Sequence, residues 1–287
     1  MLDALIDPFR QGIGQRALIE VIVLGLACGP LGAWVLLYRQ SYAAESIAHA
    51  MLPGLVVASL AGLPLTLGAG AGLVVAAVAI VFASRVARVG ADVAVAVVVT
   101  AMLATGALLA LSPDVPARLG ELLFGDPLSV TSGEILVSAL LTAGVLIALG
   151  ARHRDLALAG FDPATAPSLG AAPGRVELTL LVLLAVTTLI AVQALGNLLV
   201  VAIVIAPGAA ALRVASRLIA VLALSAGLAV LAGVGGLYLS HYVNVAAGAA
   251  IALVAIALFA LSLPVGPHLG IVRGRRRSPV ETIGARA

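Results

Sequence analysis

Residues 41–83 read SYAAESIAHAMLPGLVVASLAGLPLTLGAGAGLVVAAVAIVFA, two apolar runs divided by a Leu63-Pro64 step. The runs, 45–63 and 65–83, have the length of a helix that crosses a hydrocarbon core of about 30 Å, which takes about 20 residues. They lack the roughly ten-residue alternation of a membrane barrel strand. Glu45 and His49 stand at the head of the first run. Four residues apart on a helix means one face, one turn apart. His49 lies some nine residues past the polar Gln40, roughly 13 Å along a helix and near mid-membrane. An ionisable group at that depth points to function. Carboxylate oxygen with imidazole nitrogen is ligand chemistry for a divalent transition metal such as zinc. A structural reading stands beside it: Glu45 capping a helix start, His49 bonded to a neighbouring helix, and Pro53-Gly54 bending the helix for packing alone.

The pattern repeats along the chain. Nine apolar runs fall at 17–38, 45–63, 65–83, 92–112, 132–150, 176–195, 197–212, 218–240 and 245–264. The 287 residues are 62% hydrophobic and 10% charged, with mean hydropathy +1.21. A soluble domain is about 45–50% apolar and about 25% charged. The expected fold is therefore all-α, a polytopic membrane bundle of about eight to nine transmembrane helices with no soluble domain, each span satisfying its own backbone. The seventh run is short and ends near Pro207-Gly208, which suggests a broken helix lining a cavity.

All sixteen basic residues are Arg. In a soluble protein a pI near 9.6 suggests nucleic acid; here the Arg residues are scattered through short loops and report topology instead. With the C-terminus inside, alternation through nine spans places Arg39, Arg85, Arg88, Arg152, Arg154, Arg175, Arg213, Arg217, Arg273, Arg275, Arg276, Arg277 and Arg286 inside. Arg10, Arg16 and Arg118 fall outside. Thirteen against three is a strong positive-inside bias. Cys28 is the single cysteine, which excludes an internal disulfide and a multi-cysteine metal site. Its surroundings match a lipoprotein cleavage site poorly, and the first run is too long for a cleaved signal peptide.

Two connections are long enough to hold structure. The outer one, 113–131, contains Leu123-Phe124-Gly125-Asp126. The inner one, 151–175, contains Asp162-Pro163 and Gly170, an N-cap with proline at the first helical position and a stop. A short capped helix in the largest cytoplasmic loop suits docking to a soluble partner. Asp92 reads as a helix N-terminal acid. His153, His241 and His268 read as solvated, and Gln193 and Asn197 as interhelical hydrogen-bond partners. There is no HExxH, no GxSxG and no phosphate-cradling loop with a Lys, so the chain is not expected to be an enzyme or to hydrolyse ATP itself.

The stretch SYAAESIAHAMLPG at 41–54 resembles the permease subunit of bacterial ABC transporters for zinc, manganese and iron(II), the ABC-3 type. That family carries a motif close to S-x-x-G-D-x-x-x-H-A-x-L-P-G. Its loop pattern D-x-x-x-A-x-x-x-G is met by Asp162, Ala166 and Gly170, and its L-F-G-D pattern by Leu123 to Asp126. The run GNLLVVAIVIAPGAAALRVASR resembles the family's small-residue helix with a central proline. The long form is most similar to the zinc-directed Azt-type permeases. Ala44 stands for the usual Gly and Glu45 for the usual Asp; Glu keeps the oxygen ligand and reaches one methylene further.

The resemblance implies a multi-pass subunit of the bacterial inner membrane, driven by separate ATPase subunits, importing zinc first and manganese next. The ion is cargo, so no cofactor is expected to be held permanently. Implied partners are a second copy of the chain, two cytoplasmic ATPase subunits, an extracytoplasmic metal-binding protein and membrane lipid. Glu45 and His49 would contact metal, shared across a two-fold axis or completed by water within one protomer. Asp162, Ala166 and Gly170 would couple to the ATPase. The organisation is then a segment 1–16, a permease domain 17–265 with its coupling loop at 151–175, and a basic cytoplasmic tail 266–287. An ion-gradient secondary transporter and a non-transporting scaffold are the alternatives.

Overall fold

The computed structural model describes residues 12–86, 90–112, 130–195 and 197–264. The long helices are α1 (Gly12–Leu37), α4 (Leu65–Val86), α5 (Ala91–Ala110), α6 (Ser132–Ala151), α8 (Pro173–Leu195), α9 (Asn197–Val214), α10 (Leu218–Val243) and α11 (Ala247–Ser262). The run headed by Glu45 is α2 (Ser41–Ser46), a 3₁₀ turn (Ile47–Met51) and α3 (Leu52–Leu60). A short helix α7 (His153–Phe161) lies between α6 and α8. Among the described residues seven segments are long and apolar enough to cross a membrane, and two shorter apolar helices, Val200–Val214 and Ala247–Ser262, accompany them. These nine match the nine apolar runs. The protein is all-helical and multi-pass.

The long helices are apolar around most of their circumference, as lipid-facing helices must be. Leu108, Ile147 and Ile219 stand exposed on the outside, where lipid rather than water meets them. Inside, α1 is the central strut, packed by α10, α9, α6 and α8. Backbones cross closely because glycine stands at the crossings. A Cβ on Gly25 would come within 2.7 Å of the Val230 amide, and one on Gly32 would overlap the Val204 carbonyl. A second layer joins α3 to α4 and α5.

Three expectations are corrected. The seventh run is not broken: α9 is continuous through Pro207, where Gly208 packs against Ala33 of α1 and the close neighbour holds the helix in line. Among the described residues α1 already runs from Gly12, five residues before the apolar run. His153 is half-buried rather than solvated, with its ring edge-on to Trp34 at 5.8 Å. Asp92 lies exposed in the first turn of α5 and His241 exposed in the last turn of α10, as expected. The Leu123–Asp126 stretch, His268 and the side chains of Gln193 and Asn197 fall outside the described residues.

Candidate functional site

α1 closes with a left-handed residue. Arg39 has φ 58°, the Gln40 amide donates to the Val35 carbonyl at 2.9 Å and the Arg39 amide to Leu36 at 3.1 Å. These are the paired bonds of a Schellman close. There is no slack before α2, because the Gln40 carbonyl already accepts from Ala44 at 3.0 Å. Glu45 then sits at the last turn of α2, which removes the reading of Glu45 as a cap for a helix start.

His49 is on the 3₁₀ turn. Proline explains that turn. Pro53 has no N–H to return to the carbonyl four residues back, which belongs to His49, and its ring crowds that carbonyl. The Leu52 amide bonds the His49 carbonyl instead, the tighter three-residue closure of a 3₁₀ helix. The distortion that the sequence suggests at Pro53-Gly54 therefore lies upstream, at the histidine itself. Gly72 of α4 admits this turn: a Cβ there would be 3.2 Å from the Ala50 carbonyl oxygen.

Glu45 and His49 line one open cavity of ≈ 490 Å³. Glu45 is exposed and His49 half-buried. The rest of the lining is aliphatic or aromatic: Val201, Ala202, Ile205, Ala206 and Ala209 from α9, with Ile256 and Phe259 from α11. A hydrophobic wall around one carboxylate and one imidazole strengthens their electrostatics and limits ligand number. Among the described residues no three His, Cys, Asp or Glu side chains gather in a way that could hold a metal ion. Among the described residues, Glu45 and His49 are the two side chains of metal-ligand type in the lining of this cavity.

The connection at 151–175 carries the second candidate set. Asp162 follows α7 and anchors a turn rather than capping a helix that starts at Pro163: the Thr165 amide donates to Oδ1 at 3.2 Å and the Thr165 hydroxyl donates to Oδ2. Ala166 is fully buried beneath it. Gly170 adopts φ 86°, the left-handed region that favours glycine. The helix between is a single 3₁₀ turn, Ala166–Leu169, shorter than expected, and α7 before it was not expected. Phe161 and Leu169 are exposed at either end. The Thr165 hydroxyl, then its amide, hold the Asp162 carboxylate below the usual aspartate range. A lowered value means the turn is stabilised above the unfolded pKa and released as pH falls through the folded one. The Thr165 amide resonance should stay constant from about pH 8 to about pH 5 and move only below the ordinary aspartate value of about 3.9. In Thr165→Val the Asp162 transition should move up; an unchanged transition would remove the hydroxyl from the account.

Sequence reasoning missed Glu20. It is 2% exposed within α1 and accepts from the Ser138 hydroxyl of α6 at 2.8 Å. Its other oxygen is buried without a partner among the described residues. The rule that singles out Glu45 applies equally to a glutamate inside an apolar run.

Comparison with known proteins places this architecture. The description "ABC 3 transport family" matches residues 11–266. The manganese transport system membrane protein MntC of Halalkalibacterium halodurans is 35% identical over 267 residues, spanning 91% of each chain. The chelated iron transport system membrane protein YfeD of Yersinia pestis is 31% identical, spanning 98% of this chain and 94% of its own. The solved structure of PsaBC from Streptococcus pneumoniae in complex with Fab superposes with TM-score 0.81 at 29% identity, covering 93% of this chain and 97% of that one. With the family description spanning nearly all of the helical bundle, and relatives matching it along almost their whole length, this chain belongs to the ABC 3 transport family.

Proposed function

We propose that the chain is the inner-membrane permease subunit of an ABC importer for a divalent transition metal ion, powered by separate ATPase subunits. The observation that carries this is the shared cavity of Glu45 and His49, the only ionisable groups among the described residues of an otherwise apolar lining. Manganese and zinc are the candidate cargoes. A relative named for manganese transport supports the first; the Azt-type resemblance supports the second. Affinity order alone does not select between them.

A second copy of the chain completes the site. The cavity is open, and Ala202, Ala206 and Ala209 form a small-residue face on α9 beside exposed Ile256, the kind of surface on which membrane helices pair. A two-fold axis there brings two carboxylates and two imidazoles together, enough for a four-ligand site. The turn of Asp162, Ala166 and Gly170, with exposed Phe161 and Leu169, seats in the ATPase. An extracytoplasmic metal-binding protein delivers the ion, and lipid covers the outer aliphatic faces.

Pro53→Ala tests the site without removing a ligand. It restores the donor that α-helix needs at residue 53, so the 3₁₀ turn relaxes toward α-helix and His49 turns about the helix axis relative to Glu45 and the cavity wall. A misplacement of about 1 Å costs on the order of a hundredfold in a positioned site. ATP-driven metal uptake by the reconstituted complex should fall by about that factor, with melting temperature unchanged or raised. Wild-type uptake in this variant would detach the turn from transport.

A further inference from the structure

α7 and the last turn of α1 are joined along one whole face of α7. The Tyr38 hydroxyl donates to the Leu156 carbonyl at 2.7 Å, a bond between residues 118 apart in sequence. The ring of Tyr38 lies over Gly160, where a Cβ would come within 3.1 Å of Cε2. One turn earlier on α1, Trp34 meets His153 edge-on and packs against Tyr38 at 6.3 Å. His153, Leu156 and Gly160 are three and four residues apart, one stripe of the helix. Leu156 and Ala159 are buried against the bundle. Burial pushes the Tyr38 phenol's pKa up, so it remains a donor throughout the physiological range.

Each end of this junction leads to one of the two candidate sites. At one end, α7 ends at Phe161, directly before Asp162, and the turn bonded to the Asp162 carboxylate leads into the 3₁₀ turn at Ala166. At the other, Tyr38 precedes the Arg39 left-handed close, and α2 begins at once on the Gln40 carbonyl. Glu45 is seven residues beyond Tyr38 in this tightly bonded segment. The 3₁₀ turn that follows, with His49 on it, is the first weakly bonded element in the line, the type of segment that serves as a hinge.

We propose that Tyr38 is the positioning residue that carries movement of the cytoplasmic α7 to Glu45 and His49, through its hydroxyl bond to Leu156 and its ring on Gly160. This rests on the reading of the chain as an ATPase-driven permease. Displacement of α7 pulls or pushes the end of α1; the Schellman close passes it to α2; the 3₁₀ turn yields, and the spacing of Glu45 and His49 changes. Tyr38 touches neither cargo nor ATPase and acts through the backbone.

The test is the ratio of metal taken up to ATP hydrolysed, measured in proteoliposomes holding the complete complex. Tyr38→Phe keeps the ring and removes the hydrogen bond. One neutral hydrogen bond amounts to about a fivefold change in an equilibrium, so the ratio should fall about fivefold while ATP hydrolysis stays near wild type. Gly160→Ala keeps the hydroxyl and displaces the ring, and should lower the ratio in the same direction. A wild-type ratio in either inserted variant overturns the proposal, as does a parallel loss of uptake and hydrolysis, which would mark a docking role. If the wild-type complex itself shows no ATP-driven metal uptake, the permease reading fails rather than the role of Tyr38.

Discussion

His49→Ala should abolish ATP-driven metal uptake while the complex still assembles and still hydrolyses ATP. Loss of groups that merely orient a metal ligand costs about 10–100-fold, so loss of the ligand itself should cost at least about a hundredfold. The sparse polar lining makes the effect larger still. Each chain offers two polar groups to a cavity whose other lining is aliphatic or aromatic, and among the described residues no third polar side chain lines it. Glu45→Ala should behave alike. Glu45→Asp keeps the oxygen and withdraws it by one methylene, so it should retain uptake and alter the relative rates of manganese and zinc. The fold should survive all three, because Glu45 is exposed and His49 half-buried. Normal uptake in a stably inserted His49→Ala protein would remove the cavity from the transport path.

Gly54→Val should be the most damaging substitution to stability near the site. A Cβ on Gly54 would overlap the Gly68 carbonyl oxygen, and one on Gly68 would overlap that of Gly54. From the third side, a Cβ on Gly106 would come within 2.7 Å of the Pro53 nitrogen. Three backbones therefore converge directly behind the His49 turn, and none of the contacting atoms belongs to a flexible side-chain end. Overpacking of this kind costs about 3 kcal/mol, or about 10 °C in melting temperature for a chain of this size. Gly227→Ala is the control, since nothing lies within 4 Å of the position its Cβ would take; it should melt as wild type. Equal melting of Gly54→Val and wild type would mean that the α3–α4 crossing is not tight in the working protein.

The helices were legible because hydrocarbon imposes a length and a composition that no other solvent does. The nine runs follow from that constraint alone; the capping box of Thr131 with Glu134 that starts α6 is a finding of the structure. Glu45 and His49 were legible for the same reason: charge stands out against an apolar background. What was not legible depends on partners distant in sequence or on effects that act backwards along the chain. Glu20 finds Ser138 across 118 residues. His153 reads as a solvated loop residue because the Trp34 ring that covers it belongs to another helix. The 3₁₀ turn lies before the proline that causes it, so the local signal points a few residues too late. α7 is short, begins His153-Arg154-Asp155 and is held by Tyr38 rather than by its own propensity.

This chain is expected to conduct a transition metal only when an ATPase drives it. The most direct measurement is uptake of radioactive manganese and zinc into proteoliposomes, by the complete complex with and without ATP and by the lone chain. The account predicts ATP-dependent uptake by the complex, with one of the two metals preferred, and none by the lone chain. Uptake by the lone chain without ATP would contradict it and establish an ion-gradient transporter; no uptake of either metal by an active, assembled complex would contradict the cargo.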